Sequence, residues 1–304
     1  MNRYIDRLNQ KYGINGHILF KTMTNDYPPC AILKSDFSTC KISLYGAHVL
    51  SFIPTDAVDL LMLSSKAVYK RGKAIRGGIP ICWPWFGPNA ADRTLPVHGF
   101  ARISEWQVSD SGINQNDVPF IKFYLQSDEE SKKYWPCKFR LELTVMASSS
   151  LSVSLTTFNK DFQDMTISNA LHSYFNISNI NDIEITGIED TEYIDSIDND
   201  KKKLQKGPLR ISGEVDRDYI NTENDCFISD PGLNRIICVS KQNSKTTVIW
   251  NPWIKKGNAL ADFDHDGFEK MVCIETANAV NNTITLKPGG RHTVSTNIQQ
   301  TVWK

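Results

Sequence analysis

"LSVSLTTF", residues 151–158, sets Leu151, Val153 and Leu155 against Ser152, Ser154 and Thr156 in strict alternation. Side chains along a strand point to opposite faces in turn, so this is the pattern of a strand with one buried face and one wet face. Runs of similar β-rich character recur outward in both directions. They include "CKISLYG" (40–46), "FIKFYLQS" (120–127), "FRLELTVMAS" (139–148), "NRIICVS" (234–240), "TTVIWNP" (246–252) and "NTITLKPGG" (282–290). Helical periodicity is weak after the first dozen residues, and the runs are bounded by Gly, Pro, Asn, Asp and Ser clusters. Together these features predict an all-β protein, a sandwich or barrel, with few short helices. No Pro/Ser/Gly linker interrupts the chain, and large β-sandwiches often run long as one unit, so residues 1–304 are read as one domain. The most polar segment, "EDTEYIDSIDNDKKKLQKGP" (189–208), reads as a solvated loop between strands.

The 304 residues carry 34 basic and 34 acidic groups, with no dense basic stripe. That balance gives no electrostatic footprint for nucleic acid or an anionic membrane surface, and points to a small ligand recognised locally. The first twenty residues lack the apolar run of a signal peptide, and no stretch reaches the length of a membrane helix, so the expected location is cytoplasmic. Seven scattered cysteines without a C-x-x-C pair signal neither a disulfide framework nor a zinc ribbon.

Three segments carry chemistry. "AIRGGIPICWPWFGPN" (74–89) packs Arg76, Gly77, Gly78 and three aromatics into an irregular stretch. Its paired glycines can let the backbone approach a ligand, and Trp83, Trp85 and Phe86 can either stack on a sugar or stiffen a buried corner. "LPVHGFARISEW" (95–106) brings His98 and Arg102 near a turn. "NALHSYFNIS" (169–178), read as one strand, puts His172, Tyr174 and Asn176 on a single polar and aromatic face. A fourth, "ADFDHDGFEKMVCIETANAV" (261–280), opens with the D-x-D-x-D-G spacing of a calcium loop at Asp262, Asp264 and Asp266. The twelfth position of such a loop needs a bidentate acid and holds Cys273 instead, while "MVCIETA" is β-like, so the important carboxylate of the stretch is Glu275.

Six motifs in order, "IRGGIPICWPWFGP", "LPVHGFAR", "ALHSYFNIS", "GEVDRDY", "VIWNPW" and "MVCIETANA", resemble the aldose 1-epimerase superfamily. The closer resemblance is to its hexose-6-phosphate mutarotase branch, also called glucose-6-phosphate 1-epimerase. "LYGAHVLSF" and "TITLKPGG" extend it over nearly the whole chain. The resemblance implies a large antiparallel β-sandwich of the galactose mutarotase-like supersandwich type. It also implies cofactor-free and metal-free interconversion of the α and β anomers of a sugar phosphate by a monomer.

By the same resemblance, His172 is the general acid and Glu275 the general base. Arg76, His98, Arg102 and Asp216 line the substrate site, the arginines as partners of the phosphate and Asp216 as a contact for sugar hydroxyls. One departure stands out: mutarotases of this kind commonly carry a polar residue, often Gln, before the histidine that here follows Val97. Three rival readings are a non-catalytic sugar-binding protein on the same fold, a glycoside hydrolase, and a metal site built from His48, His98, His172 and His265. Retention of both His172 and Glu275 speaks against the first. The second ordinarily needs two carboxyl groups across the scissile bond, and the third lacks short ligand spacings.

Overall fold

In the computed structural model, which describes residues 2–22 and 28–302, the run 151–158 lies within the strand Ser150–Asn159 of an eight-stranded antiparallel sheet, between Phe139–Ala147 and Arg291–Val302. Inward positions alternate with outward ones as the sequence predicts: Leu141, Leu143, Val145, Leu151, Val153 and Leu155 are buried, and Ser152 and Ser154 between the last three are partly exposed. We call this the back sheet. Its remaining strands are Glu184–Thr186, Cys226–Asp230, Arg235–Gln242, Pro119–Gln126 and Gln107–Ile113.

A second eight-stranded sheet runs in the order Lys201–Leu204, Glu192–Asp195, Val215–Ile220, Thr246–Asn251, Met271–Asn278, Asn169–Leu171 and Ile81–Cys82, with Tyr174–Asn176 also paired to Met271–Asn278. All of its pairings are antiparallel. A four-stranded meander, from Ile18–Lys21 through Cys30–Lys34 and Ser38–Ser43 to His48–Pro54, contributes to the same continuous apolar core. Thus the all-β antiparallel sandwich expected from the sequence is the architecture found. Among the described residues there are only two α-helices, Asn2–Tyr12 and Trp253–Ala259, and no helix is long and apolar enough to cross a membrane. The first is clamped to the meander by Asn9, whose amide donates to the Phe20 carbonyl (2.8 Å) and accepts from the Phe20 N–H (2.7 Å).

Two local readings are corrected, and a third, left open above, is decided. The polar segment 189–208 is not a plain loop: it forms the hairpin Glu192–Asp195 and Lys201–Leu204, which ends the second sheet, with Lys202 facing Glu192 (2.7 Å) and Lys203 facing Asp195 (2.8 Å). Cross-strand charge pairing offsets the low β propensity of lysine there. The stretch 169–178 is not one strand either, because pairing breaks at His172–Ser173. His172 and Tyr174 still share a side, but Asn176 turns away to donate to the Asp59 carbonyl (3.0 Å).

Finally, Trp83 and Trp85 are core residues, not a sugar platform. Trp83 is fully buried against Phe139 (ring centroids 4.5 Å apart), with its indole N–H on Thr157 (3.1 Å); Trp85 donates to the Pro96 carbonyl (2.9 Å). Gly77 and Gly78 approach the protein's own backbone and not a ligand. A Cβ on Gly78, whose φ is +64°, would meet the Val49 carbonyl oxygen at 2.2 Å. His48 closes that turn, its Nε2–H donating to the Gly77 carbonyl (2.7 Å).

Candidate active site

The strand Met271–Asn278 is buried along its whole length. Paired residues of an antiparallel sheet project from the same face, and the register therefore assembles two rows. One runs Tyr174, Cys273, Trp250, Asp216, and the next runs Glu275, Val248, Asp218. These rows floor a cleft of about 650 Å³. Arg76, His98, Arg102, His172, Asp216 and Glu275, the six residues singled out from sequence, all line it.

His172 and Glu275 sit at its centre. His172 Nδ1 stands 3.2 Å from Glu275 Oε1, with the two side chains 8% and 1% exposed. The alignment makes no hydrogen bond, so Nδ1 and the other carboxylate oxygen, Oε2, have no hydrogen-bond partner among the described residues. Burial, with Asp216 and Asp218 adding repulsion, raises the Glu275 carboxyl well above the usual range. Burial, with His98, Arg102 and Arg76 adding repulsion, lowers His172 well below it. Both shifts have one physical origin: an ion in a dry site loses its hydration. Tyr174 stacks on the His172 ring at 4.7 Å and fixes its plane.

His98 lies 5.7 Å from His172, centroid to centroid. Its Nδ1 accepts from the Gly87 N–H (3.1 Å), which places the ring proton on Nε2. Burial, then Arg102 and Arg76, push its pKa down to about 3, so it is a neutral hydrogen-bond donor.

The two arginines differ. Arg76 is already engaged: Nη2 lies 3.2 Å from Asp262 Oδ1 and Nη1 donates to the Tyr174 hydroxyl (3.1 Å). Arg102 donates to the Val97 carbonyl (2.8 Å) and has no carboxylate partner among the described residues. Val97 itself is half-exposed at the rim, so at this position the backbone oxygen, not a polar side chain, contributes to the site.

Trp250, three residues before the helix Trp253–Ala259, faces the cleft and escaped the sequence reading, while Phe86, one of the aromatics weighed above for sugar stacking, supplies an apolar wall. Lys256 reaches Glu214 (3.1 Å) and Asp216 (3.6 Å). Asp218 was also missed, although its place two residues after Asp216 in a strand put it on the same face.

The aspartates of the calcium-like spacing point to different partners: Asp262 to Arg76, Asp264 to Ser65 and Asp266 to His265. The four histidines of the metal reading do not gather, since His48 holds Gly77 and His265 is exposed. Among the described residues, the one group of His, Cys, Asp and Glu close enough to hold an ion is His172, Cys273 and Glu275. Burial and the neighbouring Glu275 raise the Cys273 thiol well above its usual pKa.

The family model described as aldose 1-epimerase matches residues 29–299, and the chain belongs to this family of isomerases. It is 37% identical over 238 residues to a protein of Escherichia coli (strain K12) named "Putative glucose-6-phosphate 1-epimerase", covering 78% of this chain and 79% of that one. A protein of the same name from Cenchrus ciliaris is 35% identical over 268 residues, covering 85% and 80%. The fold superposes with a TM-score of 0.88 on the crystal structure of a "putative mutarotase" from Salmonella typhimurium, at 29% identity and 96% coverage of both chains.

Proposed function

We propose that the protein interconverts the α and β anomers of a hexose 6-phosphate, with Glu275 as general base and His172 as general acid. The observation that carries this reading is the buried His172–Glu275 pair, 3.2 Å apart on the floor of the cleft, with one carboxylate oxygen left unpartnered. Oε2 of Glu275 takes the proton of the anomeric hydroxyl while His172 delivers one to the ring oxygen. The C1–O5 bond breaks, the anomeric hydroxyl becomes the aldehyde, the carbonyl turns about C1–C2, and the same two groups run the steps backwards on the other face. Each such acid or base typically contributes roughly 10²- to 10⁴-fold.

The site's electrostatics favour that exchange. The step needs Glu275 as a carboxylate and His172 as an imidazolium at its start; after ring opening both groups are neutral, which is the state that burial prefers. The dry cavity therefore stabilises the open-chain stage. His98, held neutral with its proton on Nε2, supplies a fixed hydrogen bond to a sugar oxygen.

A phosphate dianion is assigned to Arg102, whose guanidinium is not spent on an internal carboxylate, with Arg76 as a secondary contact already oriented by Asp262. A bound dianion also offsets the positive field of the two arginines that depresses His172, which favours its imidazolium form. The relatives named as glucose-6-phosphate 1-epimerases support the same substrate class.

Two-dimensional exchange NMR of glucose, galactose and mannose, each with and without the 6-phosphate, tests this. Acceleration is expected for a 6-phosphate over its parent sugar, and Arg102→Ala should cut kcat/KM for the phosphosugar about 10- to 100-fold while leaving the free sugar within a few-fold. Equal losses on both would remove the phosphate assignment. No acceleration for any sugar would favour a sugar-binding role without catalysis.

A further inference from the structure

Asp218 has no part in the reaction outlined above. It lies on Val215–Ile220, in the row that joins it through Val248 to Glu275, and it lines the cleft. Its Oδ1 is buried and makes no hydrogen bond, and neither carboxylate oxygen has a charged partner among the described residues. Its neighbours are otherwise committed. Asp216 faces Lys256 at 3.6 Å, and Arg217, between the two aspartates, turns to the other side, where it donates to Gln205 (3.2 Å) and covers the Tyr193 ring. Asp218 is thus flanked in register by Val248 and Ile194, two residues that offer it no donor.

A polar group stranded in this way has lost its hydration with nothing in return unless something donates to it. Within the cleft the missing donor has to come from what the cleft holds. We propose that Asp218 is a second sugar-binding carboxylate, accepting a hydrogen bond from a ring hydroxyl other than the anomeric one, so that it and Asp216 together read the hydroxyl pattern of the hexose. The inference rests on the sugar-isomerase reading of this same cleft. The alternating register places the two acceptors on one face, about 6–7 Å apart along the strand, a spacing suited to two different hydroxyls of one pyranose. A neutral donor fits better than a metal ion, because Lys256 already supplies a cation beside Asp216. Burial, then Asp216 and Asp200, push the Asp218 carboxyl up to about 7, so part of its population is protonated near neutrality and can donate to a sugar oxygen instead.

The test compares wild type, Asp218→Ala and Asp218→Asn on glucose 6-phosphate and its 2-, 3- and 4-deoxy forms. Anomer exchange is followed by NMR, and ligand binding by saturation-transfer NMR on the same samples. Asp218→Ala should lower kcat/KM on the parent sugar roughly 10- to 100-fold, mainly through KM. On one deoxy analogue, the one lacking the partner hydroxyl, wild type and variant should be equal. A penalty of the same size on every analogue, or none on the parent, overturns the assignment.

If Asp218→Ala does not fold, Asp218→Asn keeps the shape and one acceptor, and the same analogue dependence is expected with a smaller amplitude. A wild-type protein that binds the sugars without exchanging their anomers would refute the catalytic reading alone. The binding series would still decide the role of Asp218.

Discussion

The two eight-stranded sheets have the same antiparallel wiring, but their central strands differ in burial. In the back sheet, Phe139–Ala147 and Ser150–Asn159 alternate between buried and half-exposed at every residue. In the second sheet, Met271–Asn278 is buried at all eight positions, and yet it contains Glu275, Thr276 and Asn278. A strand that closes a core needs only apolar side chains on one face. A strand that carries polar groups into a dry place does so against the cost of desolvation, and that cost marks where chemistry is done. The back sheet holds the molecule together, while the second sheet spends part of that stability on a site.

The sharpest way to break this contrast is at Glu275. Glu275→Gln should reduce the rate of anomer exchange about 10²- to 10⁴-fold while the folded state remains as stable or becomes more so, because an unpartnered buried carboxyl has been replaced by a neutral amide. Exchange NMR and thermal unfolding on one preparation would check both halves, and an active Gln variant would remove Glu275 from the mechanism. The converse experiment is Leu143→Ala in the back sheet. It should cost about 2–5 kcal/mol in chemical denaturation with kcat per folded molecule unchanged. A large fall in kcat there would mean that the two sheets are not separable in this way.

The smallest expected effect is the most specific. The Glu275 carboxyl is raised above its unfolded value of 4.5, so its contribution to stability is fully present below about pH 4.5 and is lost as pH rises through the higher folded value. The Gln variant has no such loss. Its melting temperature relative to wild type should therefore climb as pH rises from about 4.5 towards neutrality, measured by differential scanning calorimetry. A difference that does not change with pH would show that Glu275 is not desolvated as described.

The same contrast explains what could be read from sequence. One-sided burial writes alternation into the chain, and the strands around 151–158 are legible for that reason. Glu275 was legible too, as a single carboxylate in an apolar run, and the resemblance to mutarotases pointed to His172, Arg76, His98, Arg102 and Asp216, which the register then gathers into one cleft. What could not be read depended on partners distant in sequence. The break at His172–Ser173 exists because two short strands share Met271–Asn278. The glycines at 77 and 78 are set by the backbone at Met62 and Val49, not by a ligand. The charged hairpin 192–204 is a pair of strands in which Lys202 and Lys203 meet acids across it, which a local count of polar residues reads as a loop. Asp218 is a different case, since the alternation was visible in "GEVDRDY" and only one of its two aspartates was followed.

That hairpin also sets the character of one edge of the sheet. Lys201–Leu204 is the terminal strand of the sheet that bears the cleft, and its outer backbone groups are open to another chain's strand. Any strand adding there would have to lie alongside three consecutive ammonium groups, each already matched to an acid of its own hairpin. Lysine-rich edges of this kind resist edge-to-edge growth. The segment read from sequence as a solvated loop thus sets a row of paired lysines along the edge of the sheet that carries the cleft.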